Sequence, residues 1–264
     1  MDAVLLFSGQ GAQKVGMGKD LYDQYPVAKA LIEQADKALG ESLSAVMFEG
    51  PGEELTRTCN CQPALYVHGL ACLAVLKELV PSLNPVAAAG LSLGEFTAHA
   101  AAGTYSFEEG LRLVQKRGAF MEEACNATKG TMAAMIGGTD ENVIKLAQEC
   151  DVDVANFNCP GQTVVSGTEE GVAKAVAGAK AAGCKIAKKL NVAGAYHSRL
   201  MHSAMVKLAE ELKNISFGTP SMPVYCNYEA RVVEGPDDIR SMLEHQVCGS
   251  VRWTASMQLS LIHI

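Results

Sequence analysis

The sequence predicts an α/β fold with a parallel sheet, and three observations carry that expectation. An apolar strand, a glycine-bracketed turn and a helix follow one another over residues 86–102. A second apolar strand at 3–7 empties into a loop of small residues, and from 131 to 192 strands and helices alternate at short intervals. The first strand, Ala3-Val4-Leu5-Leu6-Phe7, runs into Ser8-Gly9-Gln10-Gly11-Ala12-Gln13. Loops at the carboxyl ends of strands line the ligand crevices of α/β sheets, and the small residues here let backbone N–H groups approach closely. A dinucleotide loop is excluded, because Lys14 stands where the third glycine of G-x-G-x-x-G is needed. Helical periodicity follows at 26–39 and at 62–79, the latter with Leu65, Leu70, Leu73 and Leu76 on its apolar positions.

The turn at Gly90-Leu91-Ser92-Leu93-Gly94 joins the strand Val86-Ala87-Ala88-Ala89 to a helix at 95–102 that ends at Gly103. A G-x-S-x-G turn needs glycine on both sides, since a Cβ at either position crowds the strand-to-helix reversal. The geometry exposes the Ser92 hydroxyl and points a helix N-terminus at it, where negative charge is favoured. A glycine-flanked loop serine is the plain alternative; the strand–turn–helix context favours a nucleophile.

Ser106-Phe107-Glu108-Glu109 is a capping box, so the next helix starts there and runs through Leu111, Leu113, Val114, Arg117 and Met121. Arg117 borders the apolar stripe of that helix, whereas Arg112 and Lys116 turn away. A stem snorkelling along the core edge would look the same. The following segments read as strand 132–136, helix 141–150, strand 152–157, strand 162–166, helix 169–182 and strand 184–190, with a tight turn at Cys159-Pro160-Gly161. That β-α-β-β-α-β order is the pattern of a ferredoxin-like unit, expected as an insertion at 128–192 between large-domain segments 1–127 and 193–264. Beyond it come a loop, Ala193-Gly194-Ala195-Tyr196-His197-Ser198, a helix at 199–213, a strand at 223–226, and a last segment carrying Gln246 and Trp253.

Composition narrows the function classes. With 264 residues, 48% of them hydrophobic, the chain can bury a substantial core. A net charge of −7 and pI near 5.4 argue against nucleic acid and allow a small anionic substrate held by a local cation. Lys185, Lys188 and Lys189 form one short cluster, which reads most simply as a solvated strand edge. Nine scattered cysteines without C-x-x-C point to reduced thiols and a cytoplasmic protein; no signal peptide or membrane span is read, and no metal site is expected.

A serine nucleophile needs a base. His99 lies two helical turns past Ser92, roughly 10 Å along the axis, too far for a hydrogen bond. His68 falls mid-helix, His263 in the terminal tail, and His202 and His197 miss the i, i+4 spacing of a helical zinc pair. His197 stands in a small-residue loop just before a helix, where a side chain can project; a capping or core role is the alternative. Asp140, Asp151 and Asp153 are the acids between serine and histidine, but all lie in the inserted unit. A dyad oriented by a main-chain carbonyl is therefore favoured over a full triad.

Gly9-Gln10-Gly11-Ala12-Gln13, the 90–95 turn, Gln115-Lys116-Arg117-Gly118, Asn156-Phe157-Asn158-Cys159-Pro160-Gly161-Gln162, Gly194-Ala195-Tyr196-His197-Ser198 and Gln246-Val247 occur in the order found in malonyl-CoA:acyl carrier protein transacylases. The chain resembles that family over nearly its whole length. The resemblance implies an α/β-hydrolase-like large domain with a ferredoxin-like insertion. It also implies transfer of malonyl from coenzyme A to the phosphopantetheine thiol of acyl carrier protein in fatty-acid synthesis. By the same resemblance Ser92 is the acylated nucleophile, His197 its base, and Arg117 the guanidinium that pairs with the malonyl carboxylate. Gln10 and Leu93 supply oxyanion-hole N–H groups, the Gln246 carbonyl orients the histidine, and Asn156, Tyr196 and Met121 belong to the substrate pocket. No bound cofactor is implied; the coenzyme A thioester is substrate, and neither nucleic acid nor membrane is a partner.

Three departures accompany the resemblance. Leu91 stands where many bacterial members have histidine; organellar members also carry leucine. Tyr196 replaces the usual phenylalanine, which touches acyl selectivity. The chain ends at 259–264, before the family's Gly-Pro-Gly-containing closing segment, and so reads as truncated. Three rival functions share these residues. A serine thioesterase or esterase needs water at the acyl-serine, and a polyketide-pathway acyltransferase differs in its carrier. A catalytically silent carrier-binding module would not need Ser92, His197 and Arg117 together.

Overall fold

The computed structural model describes residues 1–262; His263, set aside above as a tail histidine, lies outside the described residues. In chain order the elements begin with β1 (Asp2–Phe7), α1 (Lys19–Gln24), α2 (Pro26–Leu39), α3 (Leu43–Glu49), α4 (Gly52–Thr56) and α5 (Thr58–Leu79). There follow β2 (Asn84–Gly90), α6 (Leu93–Ala101), α7 (Phe107–Ala127), β3 (Gly130–Ile136), α8 (Asp140–Glu149) and β4 (Asp153–Cys159). The remainder is β5 (Gln162–Thr168), α9 (Glu169–Gly178), β6 (Ile186–Lys189), a 3₁₀ turn (Arg199–Met201), α10 (His202–Lys213), β7 (Val224–Tyr225), α11 (Pro236–His245) and α12 (Trp253–Ile262). The chain divides into two units: Met1–Ala119 with Glu211–Tyr225 and Val232–Ile239, and Phe120–Glu210 with Cys226–Arg231 and Arg240–Ile264.

In the first unit β1, β2 and β7 form a parallel sheet in the order β1-β2-β7, as the sequence predicts of an α/β chain. β2 is fully buried from Ala87 to Gly90, and its small side chains let α6 pack close. α5 begins at Thr58, four residues before the predicted start, so that Pro63 lies inside it. By length and composition α5 could cross a membrane, but 61% of its most apolar window is buried within the protein. It is a core helix whose inward residues include Leu65, Leu70 and Leu73, while Leu76 is partly exposed.

The capping box at the start of α7 is formed. The Ser106 hydroxyl donates to Glu109 at 2.6 Å, the Glu109 N–H returns to Ser106 Oγ at 3.2 Å, and the Ser106 N–H reaches the same carboxylate at 3.1 Å. The Ser106 side chain, then its N–H, hold the Glu109 carboxyl below its usual range. A lowered pKa contributes stability that is present above the unfolded value and is lost as pH falls through the folded one. Ser106→Ala should therefore cost about 1 kcal/mol at neutral pH, measured by urea denaturation, and less in acid. An unchanged midpoint at neutral pH would show that the cap contributes nothing.

The second unit holds a four-stranded sheet in the order β4-β5-β3-β6, every neighbouring pair antiparallel. Met135, Val143, Leu146, Val165, Val172 and Ala175 form its core between the sheet and the helices α8 and α9. Both helices start at threonine caps, Thr139 and Thr168, each accepting from the N–H three residues on. β6 is shorter than predicted, Ile186–Lys189, and largely exposed. The predicted helix at 199–213 opens with one 3₁₀ turn before α10, because Ser198 and a carboxylate from β4 cap it tightly. Among the described residues no disulfide joins the cysteines.

Candidate functional site

The elbow is built on close backbone approach. A Cβ at Gly90 would overlap the Gly94 carbonyl, one at Gly94 would overlap the Phe7 carbonyl, and one at Gly9 would overlap the Leu91 carbonyl. Three glycines thus let the β1 loop, the end of β2 and the start of α6 meet in one place. The Leu91 N–H donates to Phe7 O at 3.0 Å and locks the turn onto β1. Ser92, the N-cap of α6, has φ 53° and ψ −106°. A non-glycine residue holds such a backbone only when its surroundings over-determine it, and such sites are where chemistry is done.

The N–H groups of Gly94 and Glu95 turn back to Leu91 and Ser92, at 2.9 and 3.1 Å. That of Leu93, the first residue of α6, belongs to those a helix start leaves without an intrahelical acceptor. Gln10 is half-buried in the β1 loop, which its own neighbour orders: Gly11 N–H donates to Gln13 Oε1 at 2.7 Å.

Arg117 is 1% exposed. A Cβ at Gly118 would overlap Thr58 of α5, and at this close crossing the Arg117 guanidinium donates through Nη1 to Gln62 Oε1 at 2.6 Å and through Nη2 to Ser92 Oγ at 3.2 Å. Its Cζ lies 5.1 Å from the centre of the Phe96 ring, so an aromatic face supports the cation from below. Gln62, buried at 1%, was missed as a site residue in the sequence. Its one signal was an amide next to Pro63, just ahead of the apolar run of α5.

In the second unit, His197 is 4% exposed and has φ 54°. Its Nδ1 lies 2.8 Å from the Gln246 carbonyl oxygen. A carbonyl only accepts, so Nδ1 carries the proton and Nε2 is the proton-accepting nitrogen. On either side the loop is pinned by Ser198, whose hydroxyl donates to Ala195 O at 2.6 Å and accepts from Leu200 N–H at 3.2 Å. Tyr196 is 7% exposed and hydrogen-bonds the Cys125 thiol. Burial raises the pKa of that thiol and keeps it protonated. Met121, one turn before Cys125 on α7, is buried, as is Asn156 on β4, which bridges to Val251.

The other histidines take structural places. His99 is fully buried with Nδ1 3.2 Å from Thr104 Oγ1, and burial pulls its pKa down to about 3. His68 is held below its usual range, mainly by burial. His245 donates to Ser241 O and stacks on Tyr228. The acids between Ser92 and His197 are engaged elsewhere: Asp140 accepts from Thr163, and Asp151 and Asp153 accept from Arg199. Among the described residues no group of three or more His, Cys, Asp or Glu side chains is placed to hold a metal.

Chemically, the first unit offers a strained hydroxyl beside a buried fork of two N–H donors, suited to an acyl group that bears a carboxylate. The second offers an imidazole with a fixed tautomer. Residues 4–259 match the acyl transferase domain family. The malonyl CoA-acyl carrier protein transacylase of Bacillus subtilis is 43% identical over 96% of this chain and 80% of its own length. The polyketide biosynthesis malonyl CoA-acyl carrier protein transacylase BaeC of Bacillus velezensis is 41% identical over 97% of this chain and 87% of its own. Among solved structures, the malonyl CoA-acyl carrier protein transacylase of Coxiella burnetii superposes with a TM-score of 0.95 at 35% identity, covering 98% of this chain and 83% of that one. A malonyl-transacylase solved with its type II polyketide acyl carrier protein gives 0.94 at 36% identity, over 98% and 85%.

Proposed function

Since the chain belongs to the acyl transferase domain family, we propose that it moves a malonyl group from coenzyme A to the phosphopantetheine thiol of acyl carrier protein through a malonyl-Ser92 intermediate, supplying fatty-acid synthesis. One observation carries the choice of acyl group: the buried Arg117 guanidinium stands 3.2 Å from the Ser92 hydroxyl. A carboxylate three bonds from an acylated Ser92 Oγ would find a fork-shaped cation within reach.

In this reading His197 takes the Ser92 proton at Nε2 as Oγ attacks the thioester carbonyl. The N–H groups of Leu93 and Gln10 stabilise the oxyanion. The tetrahedral intermediate collapses, the C–S bond breaks, and the histidinium returns its proton to the coenzyme A sulfur. Then the carrier thiol, deprotonated by the same histidine, attacks malonyl-Ser92 and the serine recovers its proton. These steps call on no prosthetic group. Asn156, Tyr196 and Met121 are the pocket residues of this proposal.

We assign the fold more finely as an α/β-hydrolase-like large domain, 1–127 and 193–264, with a ferredoxin-like insertion at 128–192. The parallel sheet with its elbow supports the first part, and the β4-β5-β3-β6 order with two intervening helices supports the second. Cysteines unjoined by disulfides among the described residues support a cytoplasmic setting. The similarity to BaeC favours a second reading of the same chemistry, in which the carrier serves polyketide synthesis.

Intact-protein mass spectrometry tests the proposal. Mixing with malonyl-CoA should add one malonyl group to the protein, and adding holo acyl carrier protein should move that mass to the carrier. Release of free malonate with no gain on the carrier would make the enzyme a thioesterase instead.

A further inference from the structure

β4 holds two separate segments of the second unit. The Ser250 hydroxyl donates to Val154 O at 2.6 Å, Val251 N–H to Ala155 O at 2.8 Å, and Phe157 N–H to Val251 O at 2.9 Å. These bonds anchor the stretch that follows Gln246. At the first residue of the same strand, Asp153 accepts the backbone N–H of Arg199 at 2.8 Å and its Nε at 3.1 Å. Arg199 lies two residues after His197, so one strand restrains both partners of the His197–Gln246 hydrogen bond.

His197 needs such restraint. Its φ of 54° is a conformation that L-residues rarely adopt and keep only when the surroundings over-determine it. The Ser198 bonds to Ala195 and Leu200 lie inside the loop and can travel with it. Asp153, 46 residues away in sequence, ties the loop to β4, an edge strand held by β5 on one side and by the Ser250-Val251 stretch through its own backbone bonds. We propose that Asp153 is a positioning residue for the histidine: by accepting the Arg199 N–H it holds the loop in the left-handed turn that keeps Nδ1 on the Gln246 carbonyl. The proposal rests on the reading of His197 as the general base.

The same geometry says where the effect should appear. The Arg199 and Asp153 side chains are 55% and 30% exposed, and ion pairs so placed add little to global stability. A displaced base, by contrast, slows proton transfer steeply, by up to roughly 100-fold for about 1 Å. Asp153→Ala should thus lower kcat for acylation of Ser92 by roughly 10-fold to 100-fold, with KM for malonyl-CoA and the melting temperature near wild type. Asp153→Asn keeps an oxygen for the Arg199 N–H and should recover most of the rate. Asp151→Asn, which alters a contact only at the tip of Arg199, should leave it unchanged. In a His197→Ala background the Asp153→Ala change should cost little more, because its effect runs through the histidine. Wild-type acylation by Asp153→Ala, or a full additional loss on top of His197→Ala, would overturn the positioning role. Wild-type acylation by His197→Ala would instead overturn the base assignment.

Discussion

Ser92→Ala should form no malonyl adduct with malonyl-CoA, and His197→Ala should form it about 10²- to 10⁴-fold more slowly, the range that general-base catalysis supplies. The two losses differ in kind. Removing Oγ removes the bond that holds the acyl group, whereas removing the imidazole leaves the elbow, its helix N-terminus and the Arg117 contact in place. The slow residual reaction of His197→Ala should rise with pH, since hydroxide and solvent must then take the serine proton. Intact mass measured against time separates the cases, and a full adduct in Ser92→Ala would place the nucleophile elsewhere.

Arg117→Ala should depress malonyl transfer by roughly 10²-fold or more while sparing or improving acetyl transfer. The estimate follows from losing two charge-assisted hydrogen bonds, each worth about 1.5–3 kcal/mol. Acetyl has no carboxylate, so for acetyl the wild-type guanidinium is only a buried charge to be accommodated. Arg117→Lys should fall between the two, because an ammonium cannot reproduce the planar fork that now spans Gln62 and Ser92. Since Arg117 is almost fully buried, circular dichroism and melting must show a folded variant. A folded Arg117→Ala that still prefers malonyl over acetyl would mean that the carboxylate is bound by another group.

The elbow was readable because its determinants lie within a dozen residues: small apolar residues for the strand, glycine where backbones touch, and a helix that starts at once. The capping box at Ser106 and the threonine-capped helices of the second unit were readable for the same reason, or nearly so. Less was legible where local signals are faint. The short helices α1, α3 and α4, and the C-terminal α11 and α12, carry no long apolar period, and α5 begins earlier than its leucine pattern suggests. Gln62 was invisible as a site residue. An amide in an apolar helix announces burial, but nothing local says that its partner is an arginine 55 residues on.

By itself, then, the sequence determined the α/β class, the strand–turn–helix that strains Ser92, the order of elements from 130 to 190, and the residue types on which the proposed chemistry rests. Tertiary structure alone decided that β1, β2 and β7 share a sheet, that Arg117 bridges Gln62 to Ser92, and that Asp153 accepts the Arg199 N–H beside the histidine loop. The division has a physical cause. Periodicity, glycine and caps act through the nearest turn of backbone, whereas the Gln246 contact to His197 spans 49 residues and the Asp153 contact 46. Such pairs are set by how sheets and helices pack, which no spacing along the chain encodes.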